Sequence, residues 1–174
     1  MKHIVVFLAL FSILIIGGCS QKKEQPKGLA QRIELLQDSL YNADGVLSAD
    51  KANELIGCYE ALVDSMPTDT MAPQYLFIAA DLSINLSNVD RTVRLLDKII
   101  TTYPQSDKTG LSLFLKAFVY EEQLNDTATA KKYYEQFITE YPEHDFIDDA
   151  HIALQNMGKS PEELIRSFEE MNEE

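Results

Sequence analysis

The chain has 174 residues and a formal net charge of −13, from 15 basic and 28 acidic side chains; 45% of it is apolar, with two cysteines and no tryptophan. That length supports one domain with a real core, and the apolar share is too high for a disordered chain. The acidic balance argues against a nucleic-acid binder, which needs clustered Lys and Arg, and two cysteines exclude a disulfide-stapled miniprotein or a four-cysteine zinc site.

The chain starts with Met1-Lys2-His3, a short basic stretch, followed by Ile4 to Ile16 with only Ser12 polar. That apolar run is too short to span a bilayer of roughly 30 Å, but it suits the core of a signal peptide. Ile16-Gly17-Gly18-Cys19-Ser20 follows at once. A branched apolar residue, two small residues and a cysteine resemble the lipobox of bacterial lipoproteins. The resemblance implies diacylglyceryl transfer to the Cys19 sulfur, cleavage after Gly18 and acylation of the new N-terminus. Two or three acyl chains give stable anchoring, whereas one holds a protein only reversibly. Ser20 is not the Asp that retains such lipoproteins in the inner membrane, so the resemblance favours the outer membrane. Lys22 and Lys23 stand where surface-exported lipoproteins of some lineages carry acids, which favours the periplasmic face. Removing 18 residues leaves a mature chain of 156, and losing Lys2 makes its net charge −14.

Residues 19–28 read as the acylated N-terminus and a flexible tether, polar and basic with Pro26 and Gly28. Residues 29–45 read as an N-terminal helix and its turn. Leu29, Ile33, Leu36 and Leu40 make an apolar stripe to Tyr41, and Asp44-Gly45 marks the turn. Residues 46–158 carry a repeat. Pro67, Pro104 and Pro142 each end a similar segment, 37 and then 38 residues apart. Before them, Tyr59, Leu62, Val63 and Met66 match Leu96, Ile99, Ile100 and Tyr103, and then Tyr134, Phe137, Ile138 and Tyr141. Each set is one stripe on a helix that its Pro terminates.

Every such helix has an upstream partner. Residues 73–86 and 111–124 are apolar nearly all round, as expected of helices packed on both sides. Ala79 and Ala117, and Thr92 and Ala130, are small residues at matched sites. Ser48, Asn88 and Asp126 are candidate N-caps. Near the end, Phe146, Ala150, Ala153, Leu154 and Met157 form a stripe, and Gly158 stops it. In residues 159–174, Ser160-Pro161-Glu162-Glu163 is a capping box with an N1 proline. It predicts a capping helix with Leu164, Ile165, Phe168 and Met171 inward and an acidic tail.

Helix pairs with small residues at matched sites and a closing proline resemble tetratricopeptide repeats, whose period is about 34. The phrases Tyr103-Pro-Gln-Ser and Tyr141-Pro-Glu-His, with Asp148-Asp149-Ala150, resemble repeats of envelope lipoproteins of the barrel-assembly (BamD-like) and Tol-Pal-coordinator types. The resemblance covers about residues 48 to 158. It implies an all-α solenoid of about three helical hairpins with capping helices at both ends. It also implies a groove lined by the first helix of each pair, toward Leu76, Ala80, Leu111, Phe114, Phe118 and Glu121, with Tyr75 and Tyr120 at its margin. Most of these serve equally well as core. The partner-binding candidates are Tyr75, Leu76, Phe114, Phe118 and Glu121.

Catalytic signals are few. Gly110-Leu-Ser112-Leu-Phe114 lacks the second glycine of a nucleophile elbow. No glycine-rich loop follows a strand, so phosphate cradling is unsupported. Asp148 and His151 have a spacing that can chelate, beside His144, Asp145 and Asp149. The ordinary alternative is an exposed helix start, where carboxylates meet the positive dipole end. Cys58 matches Leu95 and Tyr133 in the repeat and reads as packing, and Gly57 matches Arg94 and Lys132. No catalytic residue, metal or cofactor is expected, and no nucleic acid or small-molecule substrate.

These features point to a non-enzymatic adaptor, anchored through Cys19 to the periplasmic face of the outer membrane. It would hold a protein partner in cell-envelope assembly or maintenance. The alternatives are a tethered periplasmic metal-dependent hydrolase using His144 and His151, and a small-ligand-binding lipoprotein with a closed apolar pocket.

Overall fold

A computed structural model describes residues 26–160 and 162–166. The expected signal peptide, Cys19, Phe168 and Met171 lie outside those residues. Seven helices follow in order: α1 (Pro26–Asp38), α2 (Ala49–Ser65), α3 (Ala72–Asn85), α4 (Val89–Thr102), α5 (Lys108–Glu122), α6 (Thr127–Glu140) and α7 (Ile147–Asn156). A further short helical stretch covers 162–166. Each helix packs on the one before it, and α3 also touches α5 directly. The result is the all-α, tetratricopeptide-like solenoid that the resemblance implies.

The stripes point inward as their spacing requires. Leu29, Ile33, Leu36 and Leu40 are buried, and so are Tyr59, Leu62, Val63, Leu96, Ile99, Tyr134 and Phe137. Ala79, Thr92, Ala117 and Ala130 have no exposed surface, which lets neighbouring helices approach closely. Cys58 is buried as well.

The helix ends show which local signals act. Asn88 Oδ1 accepts from Arg91 N at 3.3 Å, and Asp126 Oδ1 accepts from Thr129 N at 3.0 Å. Ser48 precedes α2 but makes no side-chain cap bond. Ser87 and Asn125, one residue before the two active caps, share a positive φ of about 52–53°. The two turns are thus the same turn, repeated. At the far end Ser160 N donates to Glu163 Oε2 at 2.7 Å, and Glu163 N donates to Ser160 Oγ at 3.2 Å, the expected capping box.

Several boundaries differ from expectation. α1 begins at Pro26, inside the stretch read as tether, because the first helical turn tolerates proline. It ends at Asp38 rather than near Tyr41. There Asn42 Oδ1 accepts from Asp44 N and Val46 N, Gly45 adopts φ +75°, and Tyr41 pairs with Leu47 across the turn. α5 begins at Lys108, a turn before Leu111. Phe146 precedes α7 instead of lying within it. Ile165 is exposed, not tucked against the last apolar face.

Candidate interaction surface

The first helices of the pairs, α3 and α5, lie against one another and carry the residues singled out as partner-binding. The structure distributes those residues unevenly. Leu76 is 0% exposed, and Ala80 is equally covered, so both are core in this fold. Tyr75 is half-buried and stacks on Tyr59, with ring centroids 5.7 Å apart. Phe114 is buried within an aromatic cluster. Its ring centroid lies 5.6 Å from Tyr134, 5.5 Å from Phe137 and 5.1 Å from Phe146. Its aromatic partners leave it little surface to offer a partner protein.

Phe118 is different: it is 38% exposed, one helical turn beyond Phe114. Leu111 and Tyr120 are half-buried, and Tyr120 rests on Tyr133 at 5.5 Å. Glu121 is half-buried and accepts a hydrogen bond from Tyr134 Oη at 2.9 Å. Burial raises the Glu121 carboxyl above the ordinary range, the Tyr134 bond pulls it back, and the Glu122 charge adds to the rise. Burial pushes the Tyr134 hydroxyl far up too, and its bond to Glu121 adds to that. The proton therefore stays on the tyrosine, and Glu121 is a positioned acceptor rather than a free charge.

Two features escaped the sequence reading. Phe146 is 38% exposed and extends the apolar surface beside Phe114. Its place in a stripe suggested burial, and only its position ahead of α7 turns it outward. Lys116 is buried at 7% exposure. Its Nζ donates to Asp97 Oδ1 at 2.6 Å and sits 4.0 Å from the centre of the Tyr133 ring. Burial works against its charge, but the Asp97 bond and the Tyr133 contact more than offset this and hold the ammonium above the ordinary lysine value. One repeat earlier its place is taken by Ile78, which packs against the core, so the repeat match marks the position as covered but does not name the partner.

Among the described residues, open clefts flank the solenoid. One, of about 640 Å³, lies between the turns that follow α2 and α4, with Pro67, Asp69, Tyr103 and Asp107 among its walls. Another, of about 560 Å³, lies where the turn after α5 meets the C-terminal segment, lined by Glu121, Glu122, Lys159 and Glu163. Among the described residues, no three His, Cys, Asp or Glu side chains converge on a metal position. His144 Nδ1 accepts from Phe146 N at 3.2 Å, and its ring lies edge-on to Phe137 at 5.1 Å. His151 is exposed on α7. Among the described residues no helix is long and apolar enough to cross a membrane.

Stacked helical hairpins, with small residues at the crossings and a proline after each second helix, define a repeat scaffold whose faces hold other proteins. A family model described as tetratricopeptide repeat matches residues 111–144, that is, α5, α6 and the turn after them. No curated protein matches the chain.

Proposed function

We propose that this protein is a non-enzymatic adaptor, acylated at Cys19 and held at the periplasmic face of the outer membrane. Its repeat scaffold would hold a partner protein of cell-envelope assembly or maintenance. The observation that carries the reading is the pairing of a repeat solenoid with a lipobox-like sequence directly upstream. α1 starts at Pro26, seven residues after Cys19. At about 3.5 Å per extended residue, the tether reaches no further than about 25 Å. An anchor this short confines the scaffold to a shell beside the membrane, so a partner of modest affinity meets it at high effective concentration. Phe118 and Phe146 supply exposed aromatic surface on the repeat body, a residue type enriched at protein interfaces.

Cell fractionation with in-cell crosslinking tests this. The native chain should partition with the outer membrane and crosslink to a discrete protein. Cys19→Ala should release it from the membrane and reduce that crosslink. A Cys19→Ala protein that stays in the membrane with its crosslinks unchanged sinks the proposal.

A further inference from the structure

The buried apolar side chains fall into two clusters. One runs from Leu29 on α1 to Ile99 on α4. The other runs from Leu113 on α5 to Ala150 on α7. Leu115 packs against both, and Ile100 on α4 reaches the second. The boundary therefore lies between α4 and α5.

That boundary is polar. Thr109, Ser112 and Lys116 are all buried on α5. Spacings of three and four residues put them on one stripe of the helix. Thr109 Oγ1 donates to the Tyr103 carbonyl, at the end of α4, at 2.7 Å. Lys116 reaches Asp97 of α4. Ser112 Oγ is buried with no hydrogen-bond partner among the described residues, and so is Gln123 Oε1, two turns beyond Lys116 on the same stripe.

The preceding joint is built differently. Tyr59 stacks on Tyr75 between α2 and α3. Glu60 of α2 takes Arg91 and Arg94 of α4, and Asp64 takes Lys98. Tyr103 Oη donates to the Pro67 carbonyl at 2.9 Å, joining the two turns. One repeat later the match to Asp64 is Thr101, and the matches to Arg91 and Lys98 are Thr129 and Gln136. Asp97 and Lys132 do stand in place of Glu60 and Arg94, but Asp97 is taken by Lys116 of α5, so that zipper is not rebuilt between α4 and α6.

We propose that the α4–α5 seam is the hinge of this solenoid. The chain divides into two cooperative units, α1–α4 and α5–α7, latched by the Lys116–Asp97 pair. Parted apolar surfaces lose all they gained by leaving water, whereas parted charges regain their hydration; a polar seam thus opens at a lower cost than an apolar one. Repeat proteins are stabilised by nearest-neighbour interfaces, so the weakest interface sets where they open. Because α3 and α5 touch across this seam, its opening changes the spacing on the face they share. The hinge rests on packing alone and stands whether or not the adaptor reading does.

Amide hydrogen exchange on the purified full chain, resolved by helix, tests it. In the native protein, α5 and α6 should exchange at least about tenfold faster than α2 and α3, as expected of a unit that opens separately. Asp97→Ala leaves Lys116 buried without its carboxylate. It should speed exchange in α5 and α6 by a further factor of about ten or more and leave α2 and α3 unchanged. Lys116→Met should slow exchange in α5 and α6, and in that background Asp97→Ala should have no further effect there. If Asp97→Ala does not fold, Asp97→Asn keeps the shape and should give the same pattern more weakly. One shared protection level in the native protein overturns the hinge. So does an Asp97 effect spread evenly over both units, or one undiminished in the Lys116→Met background.

Discussion

Two glycines inside helices should respond in opposite directions to the same substitution. Gly57 lies in α2, and a Cβ there would meet only Arg91 Nη2, at 3.8 Å. Gly110 is buried in α5, and a Cβ there would lie 3.0 Å from His144 Cδ2, 3.0 Å from Tyr141 Cδ1 and 3.2 Å from Tyr141 Cγ. These are ring atoms, not the ends of flexible chains. Both rings are also pinned, since Phe137 lies 6.0 Å from the Tyr141 ring and 5.1 Å from the His144 ring. Replacing Gly by Ala in a helix gains about 0.5–1 kcal/mol, largely by restricting the unfolded chain. Overpacking a tight contact costs about 1–3 kcal/mol. At Gly57 only the first effect operates, so Gly57→Ala should stabilise by about 0.5–1 kcal/mol. At Gly110 the second wins, for a net loss of about 1 kcal/mol. With a urea slope of about 2 kcal/mol/M, Gly110→Ala should lower the unfolding midpoint by about 0.5 M, and Gly57→Ala should raise it by slightly less. A Gly110→Ala protein as stable as the native chain would refute the reasoning. One repeat earlier, Ala72 and Ser106 stand in place of Gly110 and His144. Where the smaller serine replaces the imidazole, the methyl group is present.

Two further outcomes follow from the caps and from the half-buried carboxylate. Asn88→Ala should cost about 1 kcal/mol by urea unfolding, because its side chain caps Arg91 N, while Ser48→Ala should stay within about 0.5 kcal/mol for lack of such a bond. Glu121 has its folded carboxyl held above the ordinary value, so its contribution favours folding at acid pH and is lost as pH rises through that folded value. Glu121→Gln should therefore be at least as stable as the native chain near about pH 7 and lose that advantage toward about pH 4. Tyr134→Phe removes the bond that offsets burial and should steepen the native chain's loss of stability with rising pH, both read from unfolding midpoints across that range. A Glu121→Gln protein whose stability tracks the native chain at every pH contradicts the assignment.

Much of the fold is local and was legible for that reason. A stripe such as Tyr59, Leu62, Val63 and Met66 needs only helical spacing to say which face is buried, and a closing proline needs only its missing N–H to end the helix. Asn88, Asp126 and the Ser160–Glu163 box act within four residues, so their spacing names them. Ser48 has the right residue type and place, and the extended backbone usual for an N-cap, yet its side chain makes no cap bond.

Periodicity says that a face is covered, but not by what. Leu76 and Phe114 fitted a groove and a core equally well in sequence; burial by neighbouring helices decides for the core, and Phe118 and Phe146 are left outside. Lys116 and Asp97 are 19 residues apart on different helices. No pattern within either helix announces their meeting, and the polar seam exists only once α5 lies on α4. The lipobox-like run, the repeat and its caps are thus properties of the sequence by itself. The divided core, the buried lysine and the crowding at Gly110 belong to the tertiary structure, because each depends on contacts between segments far apart in the chain.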